Sequence, residues 1–242
     1  MEPQHFASRL LALCPPEWGL SAAQAAQMAT HWQLLAAANQ KQNLTAIREA
    51  DLALSRHYLD SLLLAADIPP GARLLDIGSG AGFPGLPLAI ARPDCSVMLL
   101  EASAKRCAFL RQSVAALGLP NVEICEARAE KAGHDVALRE SFDCVTARAV
   151  TALPALAEYC LPFLCLGGLF LAMKGPSYAE ELAAAEAALA ILGGEYLDCR
   201  EALLPQGEQR RILRIRKSAP CPEKYPRREG MPEKKPLSPR FM

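Results

Sequence analysis

The sequence contains few of the residues that bind metals or cross-link extracellular scaffolds. Its four histidines, His5, His31, His57 and His134, are not spaced with cysteine as zinc ligands are, and the nine cysteines form no Cys-x-x-Cys pair. An odd number of cysteines, several of them within apolar runs, is typical of buried, reduced thiols in a cytosolic protein. We therefore expect no metal site and a cytoplasmic location.

Net charge and long apolar runs are also absent. Lysine plus arginine number 26, as do aspartate plus glutamate, so a nucleic acid would have to bind a local basic patch. The first residues do not form the basic-then-apolar pattern of a signal peptide. The uncharged run at 159–173 is shorter than the roughly 18 residues that a membrane span requires. It contains Pro162 and the pair Gly167-Gly168, which predict a helix end, a turn and a buried strand. These absences predict no membrane partner.

The most informative stretch is a glycine-rich loop after a predicted buried strand, Arg73–Ile77, whose one acid is Asp76. The loop glycines alternate and are Gly78, Gly80 and Gly82. Alternating glycines after a strand indicate a backbone that turns tightly against a ligand, because a Cβ would block the approach. A helix beginning near Phe83–Pro84 would direct its free N–H groups toward that ligand. The stretch predicts a βα loop around a nucleotide-like ligand, with an ordinary tight turn as the alternative.

The loop by itself allows two classes of cofactor. Residues from Gly80 to Gly85 satisfy the Gly-x-Gly-x-x-Gly fingerprint of dinucleotide-binding proteins, which alone is a weak signal. Asp76 favours S-adenosylmethionine instead, because a carboxylate two residues before the first glycine can meet the amino group of that ligand directly or through water. The Asp-x-Gly-x-Gly-x-Gly phrase also resembles the first motif of class I methyltransferases.

Strand and helix patterns alternate from the glycine loop onward, which favours a parallel sheet wound on both faces. The predicted strands are Arg73–Ile77, Ser96–Leu100, Val122–Cys125, Phe142–Thr146, Leu169–Met173, Tyr196–Leu204 and Arg210–Arg216. The last two form a closing hairpin, which is typical of methyltransferases and unusual in nicotinamide-binding domains. We therefore predict an α/β fold, the Rossmann-like, doubly wound, mostly parallel seven-stranded sheet of class I S-adenosylmethionine-dependent methyltransferases.

An N-terminal helical extension, residues 1–66, precedes the predicted methyltransferase domain at 67–217. Ser21 and Gln24 form a capping box that opens a long helix, and Glu49–Ala66 is a second amphipathic stretch. We expect this extension to cover one edge of the sheet and some of its polar residues to line the cleft.

The C-terminal tail, residues 218–242, differs in composition from the rest of the chain. It holds six prolines and six basic residues. Such a segment does not bury enough apolar surface to fold alone. We expect it either to be solvated or to form a basic arm on RNA phosphate.

In a doubly wound sheet the ligand lies outside the carboxyl ends of the strands. Glu101 ends the second strand about 20 residues past the loop, where a carboxylate can accept from ribose hydroxyls. An exposed acid at a helix start is the alternative for Glu101. After the third strand, the Ala129 N–H and the Glu130 carboxylate are expected at the adenine edge, unless they begin a surface helix.

Two cations end the next two strands, Arg148 the fourth and Lys174 the fifth. A charge at the end of a buried strand needs a partner. Arg148 is therefore expected to close on the cofactor, an RNA phosphate or the target base, or to pair internally with Asp143 or Glu158.

These strand ends offer no nucleophile and no general base. Cys144 lies within the fourth strand, where it is not exposed for attack. Methyltransferases that act on a target amine carry an acid or Asn followed by Pro-Pro and an aromatic residue after the fourth strand. This chain has Arg148-Ala149-Val150 at that place. This suits methylation of a ring nitrogen with a free lone pair, such as guanine N7, because no proton has to leave. Catalysis would consist of positioning and desolvation for in-line attack on the sulfonium methyl.

Several motifs together resemble a known family. They are Asn43–Thr45, Arg56–Ser61, Asp76–Pro87, Leu100–Arg106, Arg148–Ala149 and Met173–Gly175. On these motifs, and over nearly the whole chain, the sequence resembles the bacterial 16S rRNA guanine-N7 methyltransferases, once called glucose-inhibited division protein B. Gly-Phe-Pro-Gly-Leu-Pro together with Arg-His-Tyr-Leu-Asp-Ser is specific for this family. Glu101 departs from the family, which more often has aspartate there, but the acceptor is retained.

The resemblance implies methyl transfer from S-adenosyl-L-methionine to N7 of guanine 527 in 16S rRNA of the 30S subunit, with S-adenosyl-L-homocysteine as product. We also expect a monomer. The cofactor-binding residues expected from the loop, the strand ends and the resemblance are Asp76, Gly78, Gly80, Gly82, Phe83, Glu101, Ala102, Ser103, Ala129, Glu130 and Arg148. The RNA-binding candidates are Lys41, Asn43, Arg56, His57, Lys105, Arg106 and Lys174. Arg148 and Lys174 are also candidates for holding the base or a phosphate, and no residue is assigned as catalytic.

Two other functions remain open from the sequence. A nicotinamide oxidoreductase is supported only by Gly-x-Gly-x-x-Gly, and a catalytic domain after the fold is lacking. A ribosome-binding protein with an inactive methyltransferase fold is opposed by the intact loop from Asp76 to Gly85. Cofactor binding separates these hypotheses.

Overall fold

A seven-stranded sheet forms the centre of the protein. The computed structural model describes residues 1–148, 150–204 and 207–238. The strands are β1 (Arg73–Ile77), β2 (Ser96–Glu101), β3 (Val122–Glu126), β4 (Phe142–Arg148), β5 (Leu164–Lys174), β6 (Gly194–Leu203) and β7 (Gln209–Lys217). Their order is β3-β2-β1-β4-β5-β7-β6, with β1 to β5 parallel and β7 antiparallel to both of its neighbours. The predicted doubly wound sheet with a closing hairpin is confirmed.

Helices surround this sheet. Those of the N-terminal part are α1 (Pro3–Leu13), α2 (Ala22–Gln42), α3 (Ala50–Ala53) and α4 (Asp60–Leu62), with a π-helical segment, Leu54–Leu59, between the last two. The later helices are α5 (Gly85–Ala91), α6 (Ala104–Leu117), α7 (Ala129–Ala132), α8 (Leu153–Cys160), α9 (Tyr178–Leu192) and α10 (Met231–Lys234). Short 3-10 helices lie at Pro16–Trp18, Ala65–Asp67 and Leu161–Phe163. Ser103 and the left-handed Gly118 bound α6, as their capping preferences predict.

The strand order reverses at β1. The chain runs from β1 outward to β2 and β3 and then returns to β4 on the other side of β1. Ile77 at the end of β1 lies opposite Leu100 of β2 and Ala147 of β4. The carboxyl ends of these three strands therefore meet at one edge, which is where ligands bind in doubly wound sheets.

The N-terminal helices share the core of the sheet. α2 begins at the predicted capping box, in which Gln24 N–H donates to Ser21 Oγ at 3.2 Å and Ser21 N–H donates to Gln24 Oε1 at 2.9 Å. The helix lies against α5 and α6, and Gln24 Nε2 donates to the Ile90 carbonyl at 2.8 Å. Leu54 and the sheet residue Ile212 belong to the same buried apolar cluster. The N-terminal part therefore covers one face of the sheet and not merely an edge.

Ion pairs also connect the N-terminal part to the β6–β7 hairpin. Arg200 Nε donates to Asp67 Oδ2 at 3.2 Å, and Arg56 Nε donates to Glu208 Oε1 at 2.7 Å. These contacts fix the π-helical segment, which carries Arg56, above the carboxyl ends of the strands.

Strand β5 is longer than the predicted Leu169–Met173, because it already pairs with β4 at Leu164. Its pairing with β4 shifts register between Phe142 and Cys144. Gly167 has a φ of +84° in this region, which only glycine adopts readily. The glycine pair that indicated a turn in the sequence instead forms an irregularity within a continuous strand.

The C-terminal tail is packed against the sheet domain over its described residues, so the prediction of a solvated segment is wrong. Cys221, Tyr225 and Leu237 are buried in the core on the α8 side of the sheet. Arg139 donates to the carbonyls of Cys221 and Tyr225, each at 2.7 Å. The tail does not need to fold alone, because the domain supplies both an apolar surface and donors for its carbonyl groups.

The described residues contain no helix long and apolar enough to cross a membrane. Within the same ranges there is no group of three or more His, Cys, Asp or Glu side chains that could hold a metal ion.

Candidate functional site

The loop between β1 and α5 has the backbone that its glycines predict. The φ angles are +70° at Gly78, +59° at Gly80 and +96° at Gly82, all in the region that favours glycine. The Gly78 N–H donates to the Leu100 carbonyl at 2.8 Å, which holds the start of the loop against β2. A Cβ at Gly82 would collide with the Leu86 side chain. Packing within the protein therefore already requires glycine in this loop, apart from any requirement that a ligand adds.

Asp76 lies beneath this loop and is fully buried. Its Oδ2 accepts from the Gly85 N–H at 3.1 Å, and its Oδ1 accepts from Thr146 Oγ1 at 3.3 Å. Burial is the main cause that raises the pKa of Asp76 to about 6, against the hydrogen bonds from Ser79, Gly85 and Thr146 that lower it. The structure thus places Asp76 under the loop that carries α5, and its contact with a ligand stays a prediction.

Glu101 connects the end of β2 to the glycine loop. Its Oε2 accepts from the Gly80 N–H at 2.9 Å, and its Oε1 accepts from the Ser103 N–H at 2.8 Å. The side chain of Arg106 lies 3.8 Å away. A carboxylate has about four lone-pair sites, so Glu101 keeps acceptor capacity for a ligand.

A cleft of about 260 Å³ opens beside Glu101, and we call it the cofactor cleft. It is lined by Ile77, Gly78, Leu100, Glu101, Ala102, Arg106, Ala127, Arg128, Ala129, Glu130, Val150, Tyr159 and Glu233. The structure therefore brings together Gly78, Glu101, Ala102, Ala129 and Glu130, which the sequence placed at a cofactor. Arg106, expected to bind RNA, lines the same cleft.

A larger cavity of about 680 Å³ lies next to the cofactor cleft, and we call it the basic cavity. Its lining residues are Arg56, His57, Asp60, Arg148, Val150, Thr151, Ala152, Met173, Lys174, Gly175, Glu181 and Arg210. Four cations thus face two carboxylates. Val150 lines both spaces, and a Cβ at Gly78 would lie 2.9 Å from Val150 Cγ2. Any side chain at position 78 would therefore occupy the junction of the two cavities.

Arg148 lines the basic cavity and not the cofactor cleft, in contrast to its expected place. Its Nη1 donates to Asp60 Oδ2 at 3.0 Å and to the Arg56 carbonyl at 2.8 Å. The internal partner is therefore Asp60, and the predicted pairing with Asp143 or Glu158 is wrong. The actual partner comes from the N-terminal part, which no local pattern connects to β4.

His57 is held neutral beside Arg148. Arg148 Nη2 donates to His57 Nδ1 at 3.3 Å, so Nε2 carries the proton and donates to Thr45 Oγ1 at 2.9 Å. The ring stacks on Phe83 with centroids 4.3 Å apart. Burial, followed by the charge of Arg148, lowers the pKa of His57 to about 3. Phe83, predicted at the cofactor, is buried in this aromatic contact.

The other cations of the basic cavity are also paired. Lys174 Nζ lies 2.7 Å from Glu181 Oε2 and donates to the Thr151 carbonyl at 2.9 Å. Arg210 Nε donates to Asp60 Oδ1 at 2.7 Å. These contacts fix the directions in which the cations point, so the cavity presents positive charge in a set geometry.

The remaining candidates lie outside both cavities. Lys41 and Lys105 are exposed, and Asn43 caps α2 in the left-handed conformation with a φ of +48°. Ser103 serves as a backbone donor to Glu101, and Gly80 and Gly82 shape the loop. The roles of all these residues in binding stay predictions.

Several residues that line the cavities were not predicted from the sequence, among them Asp60, Glu181, Arg210, Tyr159 and Glu233. Asp60 falls within the Arg56–Ser61 motif, which was a usable signal. Arg210 lies on β7 and Tyr159 on α8, both in patterns typical of ordinary strands and helices, so no local signal distinguished them.

The cofactor cleft suits S-adenosylmethionine by its chemistry. Carboxylates at the end of β2 and after β3 can accept hydrogen bonds from ribose hydroxyls and from an amino group. Gly78 lines the cleft without a side chain, so a ligand can lie against its backbone. The residues present therefore fit the group that the fold implies.

Comparison with known proteins also indicates a methyltransferase. The sequence profile of the family described as rRNA small subunit methyltransferase G matches residues 24–212. Ribosomal RNA small subunit methyltransferase G of Pelotomaculum thermopropionicum is 46% identical over 217 residues, which cover 88% of this chain and 91% of the relative. The protein of the same name from Moorella thermoacetica is 45% identical over 234 residues, which cover 95% and 98%. These matches favour a methyltransferase over the nicotinamide oxidoreductase.

Solved structures with the same fold are more distant in sequence. The O-methyltransferase from Bacillus cereus, crystallised with S-adenosylhomocysteine, superposes with a TM-score of 0.56 at 20% identity over 78% of this chain and 91% of that one. A 16S rRNA (adenine(1408)-N(1))-methyltransferase mutant from Catenulisporales acidiphilia gives a TM-score of 0.51 at 19% identity over 66% and 91%. At such identities the likeness shows the fold alone, which is that of class I S-adenosylmethionine-dependent methyltransferases. The family profile and the relatives show that the chain belongs to the rRNA small subunit methyltransferase G family.

Proposed function

We propose that this protein transfers the methyl group of S-adenosylmethionine to N7 of guanine 527 in 16S rRNA. The observation that carries the proposal is the junction at Val150 between the cofactor cleft and the basic cavity. One space offers acceptors for a nucleoside, and the other offers cations for RNA. A methyl donor in the first space can therefore meet a base in the second.

The residues that would hold the cofactor lie at the ends of neighbouring strands. Glu101 would accept from the ribose hydroxyls, Glu130 from the adenine amino group, and the backbone at Gly78 would lie against the ligand. When bound, S-adenosylmethionine supplies an electrophilic methyl group on its sulfonium. The protein has to orient that group and exclude water from it.

The side chains of the basic cavity favour a reaction that needs no general base. Asp60 accepts from both Arg148 and Arg210, and Glu181 pairs with Lys174. His57 is neutral, but its Nδ1 already accepts from Arg148. The N7 atom of guanine has a lone pair and loses no proton on methylation, so these engaged groups suffice as positioning residues.

The charge of the basic cavity supports an RNA substrate. Four cations line it, Arg56, Arg148, Lys174 and Arg210, against the carboxylates of Asp60 and Glu181. Cations that surround a reactive cavity bind phosphates and orient the strand. We propose that the substrate is the 16S rRNA of the 30S subunit, that the enzyme acts as a monomer and that it does so in the cytoplasm.

The experiment that tests this function uses 30S subunits from cells that lack the protein. The subunits are incubated with the protein and methyl-labelled S-adenosylmethionine, and N7-methylguanine is mapped by reduction and strand scission. We expect one labelled guanine at position 527, and no label when that position carries adenine.

The outcomes separate the remaining hypotheses. Label at another guanine would keep the reaction and move the site. No label, with S-adenosylhomocysteine still bound, would keep the fold and contradict the substrate. No label and no binding would support an inactive protein that only binds the ribosome.

A further inference from the structure

The C-terminal tail contributes a residue to the lining of the cofactor cleft. Glu233, on the short helix α10, lines the cleft together with Glu130 and Tyr159. These three residues come from three separate parts of the chain, the segment after β3, helix α8 and the tail. They lie at the end of the cleft bounded by Ala127–Glu130, where adenine is expected.

The contacts that hold this part of the tail in place are specific. The Gly230 N–H donates to Glu130 Oε1 at 2.9 Å, just before α10 begins. Arg227 binds Glu158 through its backbone N–H at 2.7 Å and its Nη2 at 2.6 Å, and Glu158 is fully buried. His134 Nε2 donates to the Pro226 carbonyl at 2.7 Å. The tail is therefore fixed to the domain just before α10, the helix that carries Glu233.

The carboxylates of Glu130 and Glu233 have few hydrogen-bond donors around them. Arg128 also lines this end of the cleft, and its Nε lies 3.1 Å from Glu229 Oε1. When ionised, Glu130 and Glu233 can accept hydrogen bonds but cannot donate them. The Tyr159 hydroxyl can donate a single proton, and it donates to Glu233 Oε1 at 3.3 Å. The Gly230 N–H satisfies one oxygen of Glu130. Two neighbouring carboxylates with unused lone pairs favour a ligand that brings two N–H donors and no negative charge.

We propose that Glu233 is a positioning residue of the cofactor site, which accepts one N–H of the adenine 6-amino group while Glu130 accepts the other. This inference rests on the proposed function, because it takes the cofactor cleft as the site of S-adenosylmethionine. It makes the tail part of the binding site for the nucleoside. The same pair of carboxylates disfavours a purine with a 6-oxo group, whose oxygen would face two acceptors.

The test measures binding and not turnover. Isothermal titration gives the Kd of S-adenosylhomocysteine and of S-inosylhomocysteine, which carries a 6-oxo group, for the full-length wild type, Glu233→Ala and Glu233→Gln. The control is Glu223→Ala, an exposed acid on the same tail. We expect Glu233→Ala to raise the Kd of the adenosyl ligand about fivefold, as loss of one hydrogen bond does. The ratio of the Kd of the inosyl ligand to that of the adenosyl ligand should therefore fall. The control should leave both Kd values unchanged.

The possible failures are distinguishable. Equal weakening of both ligands by Glu233→Ala, or no change with either, would overturn the inference and leave the proposed function standing. Failure of the wild type to bind S-adenosylhomocysteine would overturn both. Should Glu233→Ala unfold, the isosteric Glu233→Gln decides, because it must also narrow the preference between the two ligands.

Discussion

Asp60 and Arg148 share a hydrogen bond of 3.0 Å although 88 residues separate them in the chain. Asp60 also accepts from Arg210 at 2.7 Å, so one buried carboxylate orients two cations of the basic cavity. The three residues belong to the N-terminal part, to β4 and to β7. The cavity proposed to receive RNA is thus assembled from distant parts of the chain, and its cations are preorganised.

Arg148→Ala should slow methyl transfer to the ribosomal subunit by at least about tenfold, because a cation that positions the substrate is lost. Arg148→Lys should rescue it only in part. Lysine lacks the planar guanidinium, whose Nη1 donates to Asp60 and the Arg56 carbonyl while its Nη2 donates to His57. Single-turnover rates measure this, and titration of S-adenosylhomocysteine should show an unchanged Kd. A raised Kd would instead return Arg148 to the cofactor site. Arg216→Ala, on the hairpin surface, is the control.

Glu101→Gln should raise the Kd of S-adenosylhomocysteine by about tenfold or more, because hydrogen bonds to a charged acceptor contribute roughly 1.5–3 kcal/mol. Glu101→Asp keeps both acceptors and should bind far better than the glutamine variant. Glu126→Gln at the end of β3 is the matched control, since its carboxylate pairs with Arg111 on the surface. Equal affinity of all three variants would show that Glu101 only shapes the loop.

Gly80→Val should abolish cofactor binding while the protein still folds. The φ of +59° strains any branched residue, and the Gly80 N–H donates to Glu101. Gly71→Val is a closely matched control: its φ is +67°, its N–H donates to Asp94, and the space around its Cβ is open. Both variants should lose a similar free energy of unfolding. Only Gly80→Val should lose S-adenosylhomocysteine binding, and equal binding by the two would contradict the loop assignment.

Asp76→Asn should change the pH dependence of stability. The pKa of Asp76 is raised from 3.8 to about 6, so between these values the folded protein retains a proton that the unfolded chain has lost. The contribution of Asp76 to the free energy of unfolding therefore falls, by about 3 kcal/mol, as pH rises through this window. Asparagine does not titrate, so the stability of the variant relative to wild type should rise between about pH 4 and pH 7. Urea unfolding at several pH values measures it, and parallel curves would contradict the shift.

Arg227→Met should destabilise the protein by about 3–5 kcal/mol, because it leaves the buried Glu158 carboxylate without its ion-pair partner. Arg228→Met, one residue further along and exposed, should change stability by less than about 0.5 kcal/mol. Chemical denaturation of the two full-length variants makes the comparison. Equal stabilities would show that the tail is held by its apolar residues alone.

Much of the fold could be predicted because its signals are local. The capping box at Ser21, the left-handed Gly118 that ends α6 and the alternating glycines after β1 each depend on neighbours within a few residues. Alternation of strand and helix then leaves few possible topologies, so the parallel sheet and its closing hairpin could also be predicted. The glycine pair after Cys165 misled, because a bulge and a turn use the same residues and only pairing with β4 distinguishes them.

The sequence by itself determined the βα loop and the parallel sheet with its closing hairpin, and it favoured S-adenosylmethionine over a dinucleotide at the carboxyl edge. The tertiary structure alone decided that Asp60 pairs with Arg148, that Asp76 supports the loop from beneath and that Glu233 of the tail lines the cofactor cleft. The physical reason is the separation along the chain over which each kind of interaction acts. Turn and helix preferences act between near neighbours, whereas the partner of a buried charge is selected by packing among all the elements that meet around it.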